Sequence, residues 1–462
     1  MTAPAPTRPR RWVGAPVVVF LLLAGFFGAV FAWAAPPFWG HDEITQYGRA
    51  YQVSQGGWLP QEIPEDRVEG MRSWGGEVPL EVWQVMGLAF EDYETDLPEP
   101  APEVDNPTAY PRLLDAPLTG EKATVWFTNT SAYSPVPYLP QAASLALAEA
   151  VGGDTRALVY APRIAGLLAY LAVGGLAVHA LRGTRFAWVV VTVGLLPIAV
   201  FQAGTTTADT LTNALALLLS ALLVKSLFLR RPLGAVETAA LLGTMVALPL
   251  SKPTYVLLPL LALLVPAGVT ALAGRGPWWR ISSVAALAVG LGGFAAWTSV
   301  SGETTEGMGY MRSPEQYETV RPGDQMSGIL ADPLGFLYTF VESWAFRDLL
   351  WFDQFFGELG FSYVKVPGAT QIFAILALVL AVLGAERLLA RVLPTAATAA
   401  VVVLTTGMIF GTLYLSFSPV DFYIIDGVQG RYFVPLAVLG LAVLAQWVSV
   451  RLVVAPGPME AG

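Results

Sequence analysis

Long apolar runs separated by short charged segments set the pattern of this chain. The first run, Trp12 to Ala35, carries no acidic or basic residue and is long enough to cross a bilayer as a helix. Runs at Leu158–Leu181, Phe186–Gln202, Leu211–Phe228, Leu233–Leu250, Tyr255–Leu272, Ile281–Val300, Gln371–Ala385, Ala396–Phe417 and Phe433–Val450 predict further spans, ten in all. Tyr138–Val151 is too short to cross comfortably and reads as a half-span or re-entrant helix. Two stretches break the pattern. Residues 36–137 are polar overall but hold Trp39, Trp58, Trp74, Trp83 and Trp126, too many large aromatics for a solvated linker. Within them Val82, Val85, Met86 and Ala89 recur at helical spacing and predict an amphipathic helix lying on the membrane. In residues 301–370, Phe336, Phe340 and Trp344, with Leu337 and Val341, predict a second such helix.

Charge orients the bundle. Arg8, Arg10 and Arg11 precede the first run, and alternate threading puts Arg182/Arg185, Lys225/Arg230/Arg231, Arg275/Arg280, Arg387/Arg391 and Arg451 on their side. The positive-inside rule makes that side cytoplasmic and both long loops external. A cleaved signal peptide at Ala32-Trp33-Ala34 competes with this reading, but the apolar run exceeds the usual ~7–15 residues of such a segment. The expected organisation is a tail (1–11), a first helix (12–35), a first external loop (36–137), a bundle with an initial half-span (138–300), a second loop (301–370), C-terminal helices (371–453) and a tail (454–462).

Composition agrees with an all-α polytopic membrane protein: 462 residues, 55% hydrophobic and 13% charged, with mean hydropathy +0.56. Soluble domains carry about 25% charged residues. Cysteine is absent, which excludes thiolate chemistry, and two histidines exclude a multi-histidine metal site. The net charge of −9 is uneven: residues 36–136 hold 17 acidic against 5 basic residues, and residues 301–370 hold 10 against 4. Acidic loops on a basic membrane body argue against nucleic acid as a partner.

The candidate chemistry begins at the rim after the first helix, where Pro36-Pro37-Phe38-Trp39-Gly40 leads into His41-Asp42-Glu43. A carboxylate at an apolar rim suits a general base; the competing reading is a helix cap with solvated loop charge. His41 could orient that base. With Asp42 and Glu43 it could also hold a divalent cation (Mg or Mn), though the ligand set is thin. Near the other end, Gly427 and Gly430 open backbone N–H groups at a helix start and Arg431 adds a planar fork of donors. That combination is an anion site at headgroup level, or else an interfacial Arg-Tyr anchor. Lys252 falls on the external side, where the charge rule disfavours it; its partner is a phosphate or Asp209. Arg163 reads as one half of a bundle-internal ion pair, and His179 as a histidine snorkelling at a helix end.

The run PPFWGHDEITQYGRAYQVSQGGWLP resembles a family of multi-spanning bacterial proteins within the GT-C superfamily of polyprenyl-phosphate-sugar-dependent glycosyltransferases. Asp42-Glu43, Arg49-Ala50-Tyr51 and Ser54-Gln55-Gly56 fit the family's form, while Gln46 stands where the family has a histidine. YLPQAASLALAEAVG from Tyr138, TADTLTNALALLLSAL around Asp209 and Asn213, and GVQGRYFVPL, with Gln429 and Tyr432, extend the resemblance to residues 15–445. The resemblance implies a GT-C fold with two external loops capping a lipid-facing cavity. It also implies inverting transfer of a sugar from a polyprenyl-phosphate donor, with the first-loop Asp as base. The expected enzyme works at the outer face of a bacterial cytoplasmic membrane on a hydroxyl of an envelope glycan, glycolipid or protein. Asp42 is its base, Glu43 and His41 position it, and Arg431, Lys252, Gln429 and Tyr432 hold the donor phosphate. Gln46, Arg49, Tyr138, Asp209 and Arg163 line the cavity. A flippase for lipid-linked saccharides and a non-catalytic assembly scaffold are the alternatives.

Overall fold

The computed structural model describes residues 14–64, 72–89, 109–304, 316, 319–360, 364–389 and 391–452. The expected tails, 1–11 and 454–462, lie outside them. The first apolar run forms α1 (Ala15–Ala34), entered through Pro16, whose missing N–H is an unused donor at a helix start. The chain turns into α2 (Glu43–Ser54) and then builds a small lobe. There β1 (Gly75–Pro79) and α3 (Leu80–Gly87) are followed by α4 (Ala109–Leu114), and β2 (Lys122–Trp126) pairs antiparallel with β1 ahead of α5 (Thr128–Ser131). The short α6 (Leu139–Ala150) leads to α7 (Thr155–Ala180), α8 (Ala187–Gly194), α9 (Pro197–Ala203) and α10 (Asp209–Leu223), which ends in a π-turn at Val224–Phe228. After α11 (Ala235–Ser251) come 3-10 turns and α12 (Trp278–Ser301). The second long loop holds α13 (Pro322–Ala331), α14 (Pro333–Phe356) and a two-residue ladder of β3 (Glu358–Leu359) with β4 (Val364–Lys365). The chain closes with α15 (Gly368–Gly384), α16 (Val392–Ser416), a 3-10 turn at Gly430–Phe433 and α17 (Val434–Trp447).

The protein is thus mainly helical. Among the described residues six helices are long and apolar enough to cross a membrane: Ala15–Ala34, Thr155–Ala180, Asp209–Phe228, Trp278–Thr304, Val392–Ser416 and Gly430–Trp447. Helix α10 is the axis: every residue of it except Leu211 is buried. Lipid-facing apolar side chains need no burial, so α1 and α16 leave many of theirs exposed.

Prolines account for two departures from the expected spans. Phe186–Gln202 is split at Leu195–Leu196, because Pro197 starts a new helix and forces Leu196 into the extended region. The freed Gly194 carbonyl accepts from the Tyr170 hydroxyl at 2.8 Å. Tyr255–Leu272, with Pro253 before it and Pro259 and Pro266 within it, forms 3-10 turns instead of an α-helix. The amphipathic helix of the first loop departs too: Val82, Val85 and Met86 are buried in the lobe's own core with Tyr51, Val125 and Phe127, not turned to the membrane. On α14 the aromatic stripe divides. Phe336, Phe340 and Trp344 pack on Tyr414 and Phe410 of α16, while Leu337 and Val341 stay exposed.

The two ends of the bundle differ. At one end α1 finishes, α7, α10 and α17 begin, α11 finishes, and the lobe sits on them. At the other, the backbone N–H groups of Arg185 and Phe186 donate to Glu386, Arg231 donates to the Gly183 carbonyl, and Leu389 N donates to Phe228 O.

Candidate functional site

Asp42 and Glu43 leave the chain in different directions because the backbone between α1 and α2 is twisted twice. Phe38 (φ 69°) and Asp42 (φ 54°) both occupy the left-handed region. For residues other than glycine this costs about 1–3 kcal/mol each and persists only where the surroundings enforce it. Here Phe38 is buried edge-on against Tyr47, and the Asp42 carbonyl accepts from Gln46 N at 2.9 Å to start α2.

Glu43 turns inward. Its Oε1 accepts from Arg163 Nε (2.7 Å) and Thr206 N (2.8 Å), and its Oε2 accepts from Arg163 Nη2 (2.6 Å) and Gly40 N (2.9 Å). Arg163 spends its remaining donors on the carbonyls of Ala32, Ala35 and Pro36, the open end of α1. Both side chains are buried. The pair ties α1, α2, α7 and the α9–α10 turn together, and each Glu43 oxygen is fully used. Glu43 therefore offers nothing to a metal ion or a proton in this arrangement. Among the described residues no three His, Asp or Glu side chains are grouped as metal ligands.

Asp42 turns the other way, into a cluster of two carboxylates and two cations. Its Oδ2 accepts from Arg431 Nη2 at 2.8 Å, across 389 residues of sequence. Arg431 Nη1 lies 3.6 Å from Asp209 Oδ2, and Asp209 Oδ1 pairs with Lys252. Asp209 Oδ2 also accepts from Gln202 Nε2 (2.7 Å), whose Oε1 accepts from Asn213 Nδ2 (2.9 Å). The Lys252 ammonium is 5.3 Å from the ring centres of both Tyr133 and Tyr432. Formal charges cancel, yet donors remain: Nε and Nη1 of the buried Arg431 make no hydrogen bond among the described residues. Asp42 is the most accessible member, its side chain 19% exposed against 3% for Arg431 and 6% for Asp209 and Lys252.

Arg431 is held from outside the cluster. Gly430 sits where a Cβ would lie 2.2 Å from Trp351 O and 2.5 Å from Phe355 N, so only glycine lets the turn lie against α14. Gly430 N donates to Gln354 Oε1 (2.8 Å) and Trp351 Nε1 to Val428 O (2.9 Å). Gln429 supplies its backbone carbonyl to Tyr432 N. Tyr432 keeps its ring 5.2 Å from the Arg431 guanidinium and its carbonyl on the Tyr255 hydroxyl.

Other residues singled out from the sequence hold the frame around this cluster. Gln46 Oε1 accepts from the Tyr138 hydroxyl (2.6 Å) and Ala208 N (3.1 Å), joining α2 to the entry of α10. Arg49, buried, donates to Gln52 and to the carbonyls of Gly57 and Trp58; burial lowers its pKa to about 10. His41 is buried edge-on to Phe201, and its pKa lies well below the usual histidine range. Burial is the largest cause, followed by the positive charges of Arg431 and Lys252, so its imidazole is neutral at pH 7. His179 is exposed beside Arg182, away from the cluster. Sequence reasoning missed Tyr133 and Gln202. Tyr133 lies in a polar TNTSAYSP stretch without helical period, and Gln202 closes a run chosen only for hydrophobicity.

Against known proteins, the family model described as "Predicted membrane protein (DUF2142)" matches residues 23–440. No curated protein and no solved structure matches the chain.

Proposed function

The chain belongs to that family of membrane proteins, and from this premise we propose that it is a glycosyltransferase of GT-C type taking its sugar from a polyprenyl-phosphate donor. The observation that carries the reading is the buried Arg431, whose Nε and Nη1 make no hydrogen bond among the described residues, paired to the most accessible carboxylate of the cluster. A guanidinium edge binds two phosphate oxygens at once. A phosphate taking Arg431 would release Asp42, which then accepts the proton of an acceptor hydroxyl as that oxygen attacks the anomeric carbon. The bond from that carbon to the phosphate oxygen breaks with inversion, and Arg431 and Lys252 balance the charge of the departing lipid phosphate. No general acid is required, because a phosphate leaves as an anion. The acceptor is an envelope glycan, glycolipid or protein hydroxyl.

Ten passes with both termini inside a bacterial cytoplasmic membrane, and the lobe outside, make the rest of the proposal. Three short or broken segments (α8–α9, the 3-10 turns after Lys252, and α15) complete the count beside the six long helices and α11. The contact of Arg185, Arg231 and Leu389 regions at the end away from the lobe supports it. One observation favours the carrier instead: the break between α8 and α9 is of a kind common around transporter sites. The test is product formation by purified protein given a polyprenyl-phosphate sugar and an envelope acceptor extract. Transfer that falls with Asp42→Asn supports the enzyme. Absence of transfer, with lipid-linked sugar trapped on the inner leaflet of cells lacking the protein, supports the carrier.

A further inference from the structure

Beside Lys252 in the cluster stands a residue with no role in the reading above. Tyr133 packs its ring 5.3 Å from the Lys252 ammonium, yet its hydroxyl makes no hydrogen bond among the described residues. It is not a loosely held loop side chain. The peptide before it is fixed by Trp297 Nε1 donating to Ala132 O (2.8 Å), and its own carbonyl accepts from Arg49 Nη2 (3.5 Å). The next residue, Ser134, donates to Leu250 O (2.5 Å), two positions before Lys252. Elements from both sides of the lobe, α2, α11 and α12, therefore aim a single phenol at the cluster. Tyr133 is half-buried, so its hydroxyl stays open to a ligand entering the cluster, where the buried Nε and Nη1 of Arg431 also make no hydrogen bond among the described residues.

Resting on the phosphate reading of that cluster, we infer that Tyr133 is a further donor-binding residue, its O–H donating to a phosphate oxygen alongside Nε and Nη1 of Arg431. The phenol is a donor and not a base. Desolvation pushes its pKa above the usual tyrosine range, the charges of Asp209 and Asp42 push it the same way, and the opposing pull of Arg431 does not reverse the shift. It adds a contact without adding charge, which suits a site whose cations are already matched. The ligand chemistry is a phosphate ester, carried by an isoprenoid lipid and not free in solution.

Tyr133→Phe removes the hydroxyl, keeps the ring against Lys252, and loses no hydrogen bond made among the described residues. Its unfolding temperature in detergent should match the unaltered protein. The measurement is calorimetric titration of the full chain with farnesyl phosphate, with farnesol and inorganic phosphate as controls. Expected are binding of farnesyl phosphate by the unaltered chain, weaker binding of both controls, and a loss of about ten- to a hundredfold in Tyr133→Phe, the worth of one hydrogen bond to a charged group. Equal affinity of Tyr133→Phe and the unaltered chain for farnesyl phosphate would overturn the role of Tyr133 and leave the proposed transferase standing. Inorganic phosphate binding as tightly as farnesyl phosphate would overturn the lipid source. No binding of farnesyl phosphate by the unaltered chain would remove the phosphate site itself, and both readings with it.

Discussion

Arg163 commits every donor it has to Glu43 and to three carbonyls at the end of α1, while one residue earlier Asp42 is bonded to Arg431 and partly open. Substitution of the two neighbours should therefore fail differently. Glu43→Gln leaves the Arg163 charge unmatched in the interior, and breaking a buried pair costs about 3–5 kcal/mol. The expected result is a lower unfolding temperature in detergent and little recoverable protein. Asp42→Asn keeps shape and hydrogen bonding at a more accessible position, so the protein should fold while transfer falls by about 10²–10⁴-fold, the usual worth of a general base. Near-normal turnover by Asp42→Asn would remove it from the mechanism. His41 adds a pH dependence. Its pKa is depressed in the folded protein, so below about 6.5 the unfolded chain binds a proton that the folded one does not. Its contribution to stability is complete above that pH and is lost as pH falls toward the folded value. Unfolding temperature plotted against pH should drop more steeply between pH 7 and 5 for the unaltered chain than for His41→Gln.

Helix α14 acts on the cluster without entering it, through the seat it offers Gly430. Gly430→Ala puts a methyl group against the backbone at Trp351 and Phe355, which cannot move aside as a side chain could. The start of α17 must shift, carrying Arg431 with it. Donor KM should rise while the protein remains folded, and an unchanged KM would argue that α14 is not the support of Arg431. The elements themselves were legible to different degrees. A long uninterrupted apolar run announces its helix, as at α1, α7, α10 and α16, because in lipid the backbone must bond to itself. Proline decided where that signal failed: Pro197, Pro259 and Pro266 interrupt runs that hydropathy alone joins. The charged residues at the rim could be suspected one by one, and Asp209 with Lys252 even as a pair. That Glu43 faces Arg163 while Asp42 faces Arg431 depends on two left-handed residues, which no periodicity reports. Tyr133 gave no signal at all, since its position is set by Trp297, Arg49 and Leu250, all far away in the chain.

For the whole molecule the testable statement is which end faces which compartment. Ser327 is exposed on α13 in the second long loop, and the chain has no cysteine of its own. Ser327→Cys should react with a membrane-impermeant maleimide on intact cells; reaction only after the membrane is opened would invert the topology. The 389-residue reach from Asp42 to Arg431 has a further consequence, which concerns synthesis. Translation delivers α1 first and α17 last. Asp209 acquires Lys252 as soon as α11 is made, and Glu43 acquires Arg163 with α7, so both pairs can close early. Asp42 must wait for the Gly430–Phe433 turn. A nascent chain that stops short of Arg431 leaves the Asp42 carboxylate without that partner, and arrival of the Gly430–Phe433 turn is the step that closes the pair.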